Sequence, residues 1–208
     1  MVFLNIVSSE DELREMLGFP GKLAANKVID HLDVHCAEFL KKTPYIVIST
    51  CNDDGQCDAS PRGDSPGFIH IVNSKQFVIP ERPGNRRLDS ILNILKNPGI
   101  GLLCMIPGLD ETLRINGKAS LIKDPDIMAQ MAVGHSVPSM GIAVTVEECF
   151  IHCAKALKRS RLWNIDSWAK KDELPHPATI ITAHTKLENL TVSEVAACLE
   201  ESYTKRLY

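Results

Sequence analysis

Residues 60–88, SPRGDSPGFIHIVNSKQFVIPERPGNRRL, constrain the fold more than any other stretch of this 208-residue chain. Two short apolar runs, 68–72 and 76–79, flank Asn73-Ser74-Lys75, the pattern of a β-hairpin. A basic loop follows, opening a helix from about 87 to 95 that Asn97-Pro98-Gly99 stops. Arg62 stands near the start of the stretch, and Arg82, Arg86 and Arg87 stand at its end. A hairpin folds those ends toward each other, so four guanidinium groups are expected to share one small volume. Planar, permanently charged forks of donors suit phosphate. Asn85, Arg86 and Arg87 would also lie at a helix N-terminus, where free backbone N–H groups and the macrodipole favour an anion. The expected ligand bears a phosphate, held between a strand end and a helix start.

The flanking sequence extends the β pattern. Residues 45–50 (YIVIST) form a β-branched run before the turn Asn52-Asp53-Asp54-Gly55, and 57–61 return toward Arg62-Gly63-Asp64. Residues 100–106, 109–122 and 142–153 read as further strands, with Gly117 marking a bulge or a close backbone approach. Asp124 and Pro125 start a helix to about 133. Helical patterns occupy 8–18, where Ser9 and Glu12 suggest a cap, and 22–42. Pro175 and Pro177 mark an irregular linker before a helix capped by Thr191 and Glu194. The expected fold class is mainly β with α (α+β), a β-barrel core of antiparallel strands with helices at both ends.

Charge and cysteine usage narrow the function classes. The net charge of −3 excludes general affinity for nucleic acid or membrane surfaces and makes the arginine group a local feature. No apolar run approaches the roughly eighteen residues of a membrane span, and the first residues lack a secretory pattern; a cytoplasmic location is expected. Seven scattered cysteines without a CxxC suggest reduced thiols, most of them small core residues. Neither a G-x-G-x-x-G after a strand nor a G-x-x-x-x-G-K-[S/T] loop occurs, which leaves dinucleotide and nucleotide-hydrolysing folds unsupported.

The ordered set Pro61-Arg62, Ile79-Pro80-Glu81, Asn85-Arg86-Arg87, Asn97-Pro98 and Arg114-Ile115-Asn116-Gly117-Lys118-Ala119 resembles the pyridoxamine 5′-phosphate oxidase-like split-barrel FMN proteins. The resemblance covers roughly residues 38–165, and the segment KALKRSRLW (155–163) places it nearest an uncharacterised subgroup. It implies an antiparallel split β-barrel at 44–165, with an N-terminal helical extension (1–43) and a C-terminal linker and helix (166–208). It further implies a homodimer holding FMN at the subunit interface. Arg62, Arg86 and Arg87 would bind the phosphate with help from Asn85; Gly63, Asp64, Ile79, Pro80 and Glu81 would border the ribityl chain or ring. Lys155 or Arg161, arriving from the partner, would place positive charge near the ring edge, and Trp163 would cover the ring or simply fill an interface. The late Arg-x-His element of the true pyridoxamine phosphate oxidases is missing, so oxidation of pyridoxamine phosphate is not expected.

Smaller constellations carry bland readings beside functional ones. His31 and His35, four apart on the expected helix, could share a face as half a metal site, but no third ligand is indicated. Cys149, His152 and Cys153 suggest a metal or redox cluster, yet strand alternation points His152 away from Cys149 and Cys153 with it. His70 reads as a solvent-face or interface histidine. No metal site and no catalytic side chain are assigned. The expected function is an FMN-dependent oxidoreductase acting on an unidentified small substrate, with a reduced nicotinamide as one candidate donor. The alternatives are a non-catalytic flavin carrier, sensor or interaction protein on the same fold and, more weakly, a pyridoxal phosphate binder.

Overall fold

The computed structural model describes residues 4–208. Its strands are β1 (Tyr45–Cys51), β2 (Cys57–Gly63), β3 (His70–Asn73), β4 (Gln76–Pro80), β5 (Gly99–Met105), β6 (Thr112–Ile122) and β7 (Gly141–His152). They form one antiparallel sheet in the order β2-β1-β5-β6-β7-β4-β3. Alternating apolar residues give the sheet a buried face. Ile46 and Ile48 of β1, Leu102 and Cys104 of β5, Leu113 and Ile115 of β6, Ile142 and Val144 of β7, and Phe77 and Ile79 of β4 belong to a single core. Asn116 and Gly117 of β6 meet a register shift against β7, the bulge expected from the glycine. A Cβ at Gly117 would lie 2.1 Å from the Thr145 carbonyl oxygen, so no other residue fits without displacing the strand.

β2 and β4 are far apart in the sheet order, and no backbone ladder joins them among the described residues. Residues at or just past their C-terminal ends nevertheless meet through side chains: Arg62 Nε lies 3.3 Å from Glu81 Oε2, and Arg82 Nε lies 2.7 Å from Asp64 Oδ2. The sheet therefore curls until its borders touch without closing in hydrogen bonds. This is a split barrel, the architecture expected from the sequence.

Among the described residues eight α-helices decorate it: α1 (Glu10–Leu17), α2 (Lys22–Asn26), α3 (Val34–Lys42), α4 (Asp89–Lys96), α5 (Pro125–Gln130), α6 (Lys155–Ser160), α7 (Pro177–Thr185) and α8 (Val192–Lys205). Ser9 caps α1, its hydroxyl accepting from the Glu12 N–H, and Thr191 with Glu194 forms a capping box at α8. Two expectations fail here. The stretch 22–42 is not one helix. It breaks after α2, runs extended where Ile29 exchanges backbone hydrogen bonds with Cys149, and resumes at α3, capped by Asp33. Bonding to the sheet edge outweighs helical propensity there. The expected irregular linker contains α7, whose Pro177 sits in the first turn, a position that tolerates proline. α7 pairs with α8, burying Ala178 and Val195. Helices α1 and α2 bury no residue.

Candidate functional site

The seam between the barrel edges is built first from backbone. The Asp64 N–H donates to the Pro44 carbonyl at 3.0 Å and the Gly67 N–H to that of Thr43 at 3.4 Å, fixing the chain as it leaves β2. Asp64 is then enclosed by donors. Arg82 Nε reaches Oδ2, while the Ser65 N–H and the Tyr208 hydroxyl each reach Oδ1 at 2.7 Å. Arg82 also donates to the Met131 carbonyl at 2.8 Å and lies 5.7 Å from the Tyr208 ring centroid. Burial pushes the Asp64 carboxyl up, but the bonds from Tyr208, Ser65 and Arg82 outweigh it and hold the group below the usual aspartate range. The Tyr208 phenol is raised by the same contact.

Arg62 is the second half of the seam. Its Nη1 donates to Ser60 Oγ and, at 2.9 Å, to the Pro61 carbonyl. Arg62 Nε, Glu81 Oε2 and Arg82 Nη1 are buried with no hydrogen-bond partner. Arg62 Nε and Glu81 Oε2 face each other at 3.3 Å, paired in charge but not in hydrogen-bond geometry; the buried Arg82 Nη1 has no such partner, a costly and uncommon state for a donor. A cleft of about 400 Å³ opens beside the seam, lined among others by Lys41, Asp64, His70, Arg82 and Met131.

The basic turn behaves differently. Arg86 and Leu88 adopt left-handed backbone, φ 60° and 62°, and Asn85 Oδ1 accepts the Arg87 N–H at 3.0 Å. Helix α4 begins only at Asp89, with Leu88 as its cap, so the expected start at Arg87 is corrected by two residues. The arginines precede the helix, and Asp89 takes its acidic first-turn position. Arg87 pairs with Asp89 at 2.9 and 3.2 Å, which raises the pKa of the guanidinium further. Arg86 is exposed and makes no ion pair among the described residues. The four arginines thus do not converge as one cluster. Arg62 faces Glu81, Arg82 faces Asp64, Arg87 faces Asp89, and only Arg86 lacks a carboxylate. Polar buttresses still hold the turn over β1 and β2. Ser90 hydrogen-bonds Asp58, Asn93 donates to Thr50 Oγ1 at 3.1 Å, and Asn97 donates to Cys51 Sγ at 3.4 Å.

Of the remaining candidates, Gly63 is exposed, whereas Ile79 and Pro80 are fully buried, backbone included, so neither presents surface to a ligand in the single chain. Lys155 and Arg161 are exposed on and after α6. That segment docks on the β5–β6 turn: Lys158 pairs with Asp110 at 2.9 Å, and Trp163 Nε1 donates to the Leu109 carbonyl at 2.9 Å. Leu109 itself lies in that turn, because β6 starts at Thr112 rather than at 109. His31 precedes α3 and bonds Asp30 at 2.9 Å, which removes the shared helix face with His35. Cys149 is buried while His152 and Cys153 are exposed, so Cys153 does not point with Cys149. No metal-holding group of side chains occurs among the described residues, and no helix there is long and apolar enough to cross a membrane.

The family model described as pyridoxamine 5′-phosphate oxidase matches residues 32–153, which take in every strand and the whole seam apart from Tyr208. The chain belongs to this family. Solved structures similar to it include HupZ from Group A Streptococcus, at 18% identity and TM-score 0.47, covering 58% of this chain and 99% of that one. An FMN-binding protein from Syntrophomonas wolfei gives 7% identity and TM-score 0.43, covering 56% and 87%. A protein related to general stress protein 26, of the pyridoxinephosphate oxidase family, from Clostridium acetobutylicum gives 14% and 0.42, covering 57% and 86%. Comparison with curated proteins gives no match. Family membership rests on the match over 32–153.

Two members of the site escaped the sequence. Tyr208 lies 144 residues from Asp64, and nothing in a C-terminal Arg-Leu-Tyr signals a destination. The Asp58–Ser90 bond joins residues 32 apart; Asp58 carried a weak signal as an acid on a strand otherwise read as apolar and small.

Proposed function

We propose that the chain binds FMN and serves as an FMN-dependent oxidoreductase for a small substrate. The observation that carries this reading is the exposed Arg86 of the basic turn, which makes no ion pair among the described residues, in a chain of the pyridoxamine 5′-phosphate oxidase family. Arg86, Arg87 and the Asn85 turn would take the phosphate, and Arg62 would complete its charge. Gly63 would border the rest of the cofactor. Bound flavin would supply a two-electron acceptor; the chain would bind it, orient it and set the charge around it.

A homodimer belongs to this reading, and the exposed surface supports it. The isolated chain exposes 14,553 Å², whereas a compact monomer of 23.0 kDa would expose about 9,600 Å². The excess is several times the area one partner contributes to an ordinary interface, about 800 Å². Much of it is apolar and lies on the helical arms, with Leu4, Phe19, Leu23, Ile165 and Trp168 all more than half exposed. A second copy would bury those arms and bring its Lys155, Arg161 and Trp163 toward the flavin.

A non-catalytic flavin carrier is the second reading. It is favoured by the engagement of Asp64, Glu81 and Asp89 with arginines, which leaves none of these carboxylates free to move a proton. Titrating the protein with FMN and with riboflavin, followed by absorption, tests the proposal. One FMN per chain, bound more tightly than riboflavin, is expected; no binding of either would overturn it. Steady consumption of a reduced nicotinamide by the loaded protein separates enzyme from carrier.

A further inference from the structure

The barrel holds a second reactive arrangement, remote from the arginines in sequence and unrelated to flavin. Cys36 sits in the first turn of α3, its N–H donating to the Asp33 carboxylate at 2.8 Å. Its Sγ lies 3.4 Å from Sγ of Cys149 on β7, and the two residues are 113 positions apart. Cys149 is fully buried and Cys36 is 8% exposed. An ordinary close packing of two core cysteines would end there, but this pair does not face solid core. A cleft of about 260 Å³ is lined by both residues together with Lys27, Ile29, Asp33, His35 and Phe150. That volume admits a small oxidant.

We propose that Cys36 and Cys149 form a peroxide-reactive dithiol, with Cys36 attacking and Cys149 resolving. The thiolate of Cys36 attacks one oxygen of a hydroperoxide: the S–O bond forms, the O–O bond breaks, and the other oxygen leaves as water or alcohol after taking a proton. Cys36 is thereby oxidised by two electrons to a sulfenic acid while the peroxide is reduced. Cys149 Sγ then attacks that sulfur. The S–S bond forms, the S–O bond breaks, and water leaves with the Cys149 proton. The sulfurs need to approach only from 3.4 Å to about 2.05 Å, the length of a disulfide.

The division of roles follows from the environment. Cys149 donates its S–H to Cys36, which lowers the Cys36 pKa against the opposing effects of burial and of the Asp33 carboxylate, and raises that of Cys149. The helix N-terminus adds partial positive charge at Cys36. Cys104, the third buried thiol, is pushed up to about 12 by burial alone and stays inert. The product would staple α3 to β7 where Ile29 and Cys149 already exchange two backbone hydrogen bonds, at 3.0 and 2.7 Å.

Full-length reduced protein treated with hydrogen peroxide, then alkylated under denaturing conditions and mapped by mass spectrometry, tests this. A linked peptide containing Cys36 and Cys149 is expected, with both thiols lost together and recovered by dithiothreitol. In Cys149→Ser, Cys36 should accumulate as sulfenic acid trapped by dimedone, several-fold above wild type. Oxidation of the exposed Cys57, Cys153 and Cys198 with Cys36 and Cys149 still alkylated would overturn the proposal. A dimedone adduct on Cys149 in Cys36→Ser, with none on Cys36 in Cys149→Ser, would overturn the assigned roles.

Discussion

The seam and the basic turn use the same side chain for opposite purposes. In the seam, Arg82 is 14% exposed against an Asp64 carboxylate 2% exposed, and three donors converge on that carboxylate. In the turn, Arg87 is 72% exposed beside a half-exposed Asp89, and Arg86 has no carboxylate at all. A buried charge that loses its partner is strongly destabilising, whereas an exposed pair contributes little. The arginine that holds the fold and the arginine left for a ligand are therefore told apart by burial, not by residue type.

Breaking the seam gives the largest expected effect. Arg82→Ala strands the buried Asp64 carboxylate and should cost about 3–5 kcal/mol of stability, read by urea unfolding. A loss under 1 kcal/mol, on the order of an exposed pair, would place Arg82 with the turn. Arg86→Ala should do the reverse: FMN affinity falls by about 2–4 kcal/mol while the unfolding midpoint stays put. A variant that loses stability but keeps affinity would merge the two regions. Arg62→Ala, which removes both the partner of Glu81 and a charge proposed for the phosphate, should show both losses together.

Acid sharpens the contrast. Asp64 has a depressed folded pKa, so its contribution is present above the ordinary aspartate range and is withdrawn as pH falls through the folded value. Wild type should lose stability between about pH 5 and about pH 2 in excess of Asp64→Asn, whose own stability is lower at neutral pH. Parallel acid profiles for the two proteins would remove Asp64 from the linkage. The smallest effect is expected away from both regions: Trp163→Phe removes the hydrogen bond to Leu109 and should cost about 1 kcal/mol, measured by thermal unfolding.

The strands were legible because alternation and turn chemistry are local. The YIVIST run, the Asn73-Ser74-Lys75 hairpin and the Gly117 bulge lie where their residues require. The helix at 22–42 was misread because its extended middle is held by Cys149, more than a hundred residues away, and no local pattern encodes that pairing. The site was legible only as a set of arginines. Their sorting depended on Glu81, Asp64 and Asp89, and a single sequence does not say which carboxylate a long flexible side chain will reach.

By itself, then, the sequence determined the antiparallel core, the caps of the terminal helices and the presence of a basic turn before α4. These follow from steric preference, periodicity and hydrogen bonding within a few residues. Only the tertiary structure decided that the split barrel is clasped by Arg62–Glu81 and Arg82–Asp64, that Tyr208 returns to Asp64, and that Cys36 meets Cys149. Such contacts join residues 18 to 144 positions apart, and they form because curling the sheet to bury its apolar face carries its edges together.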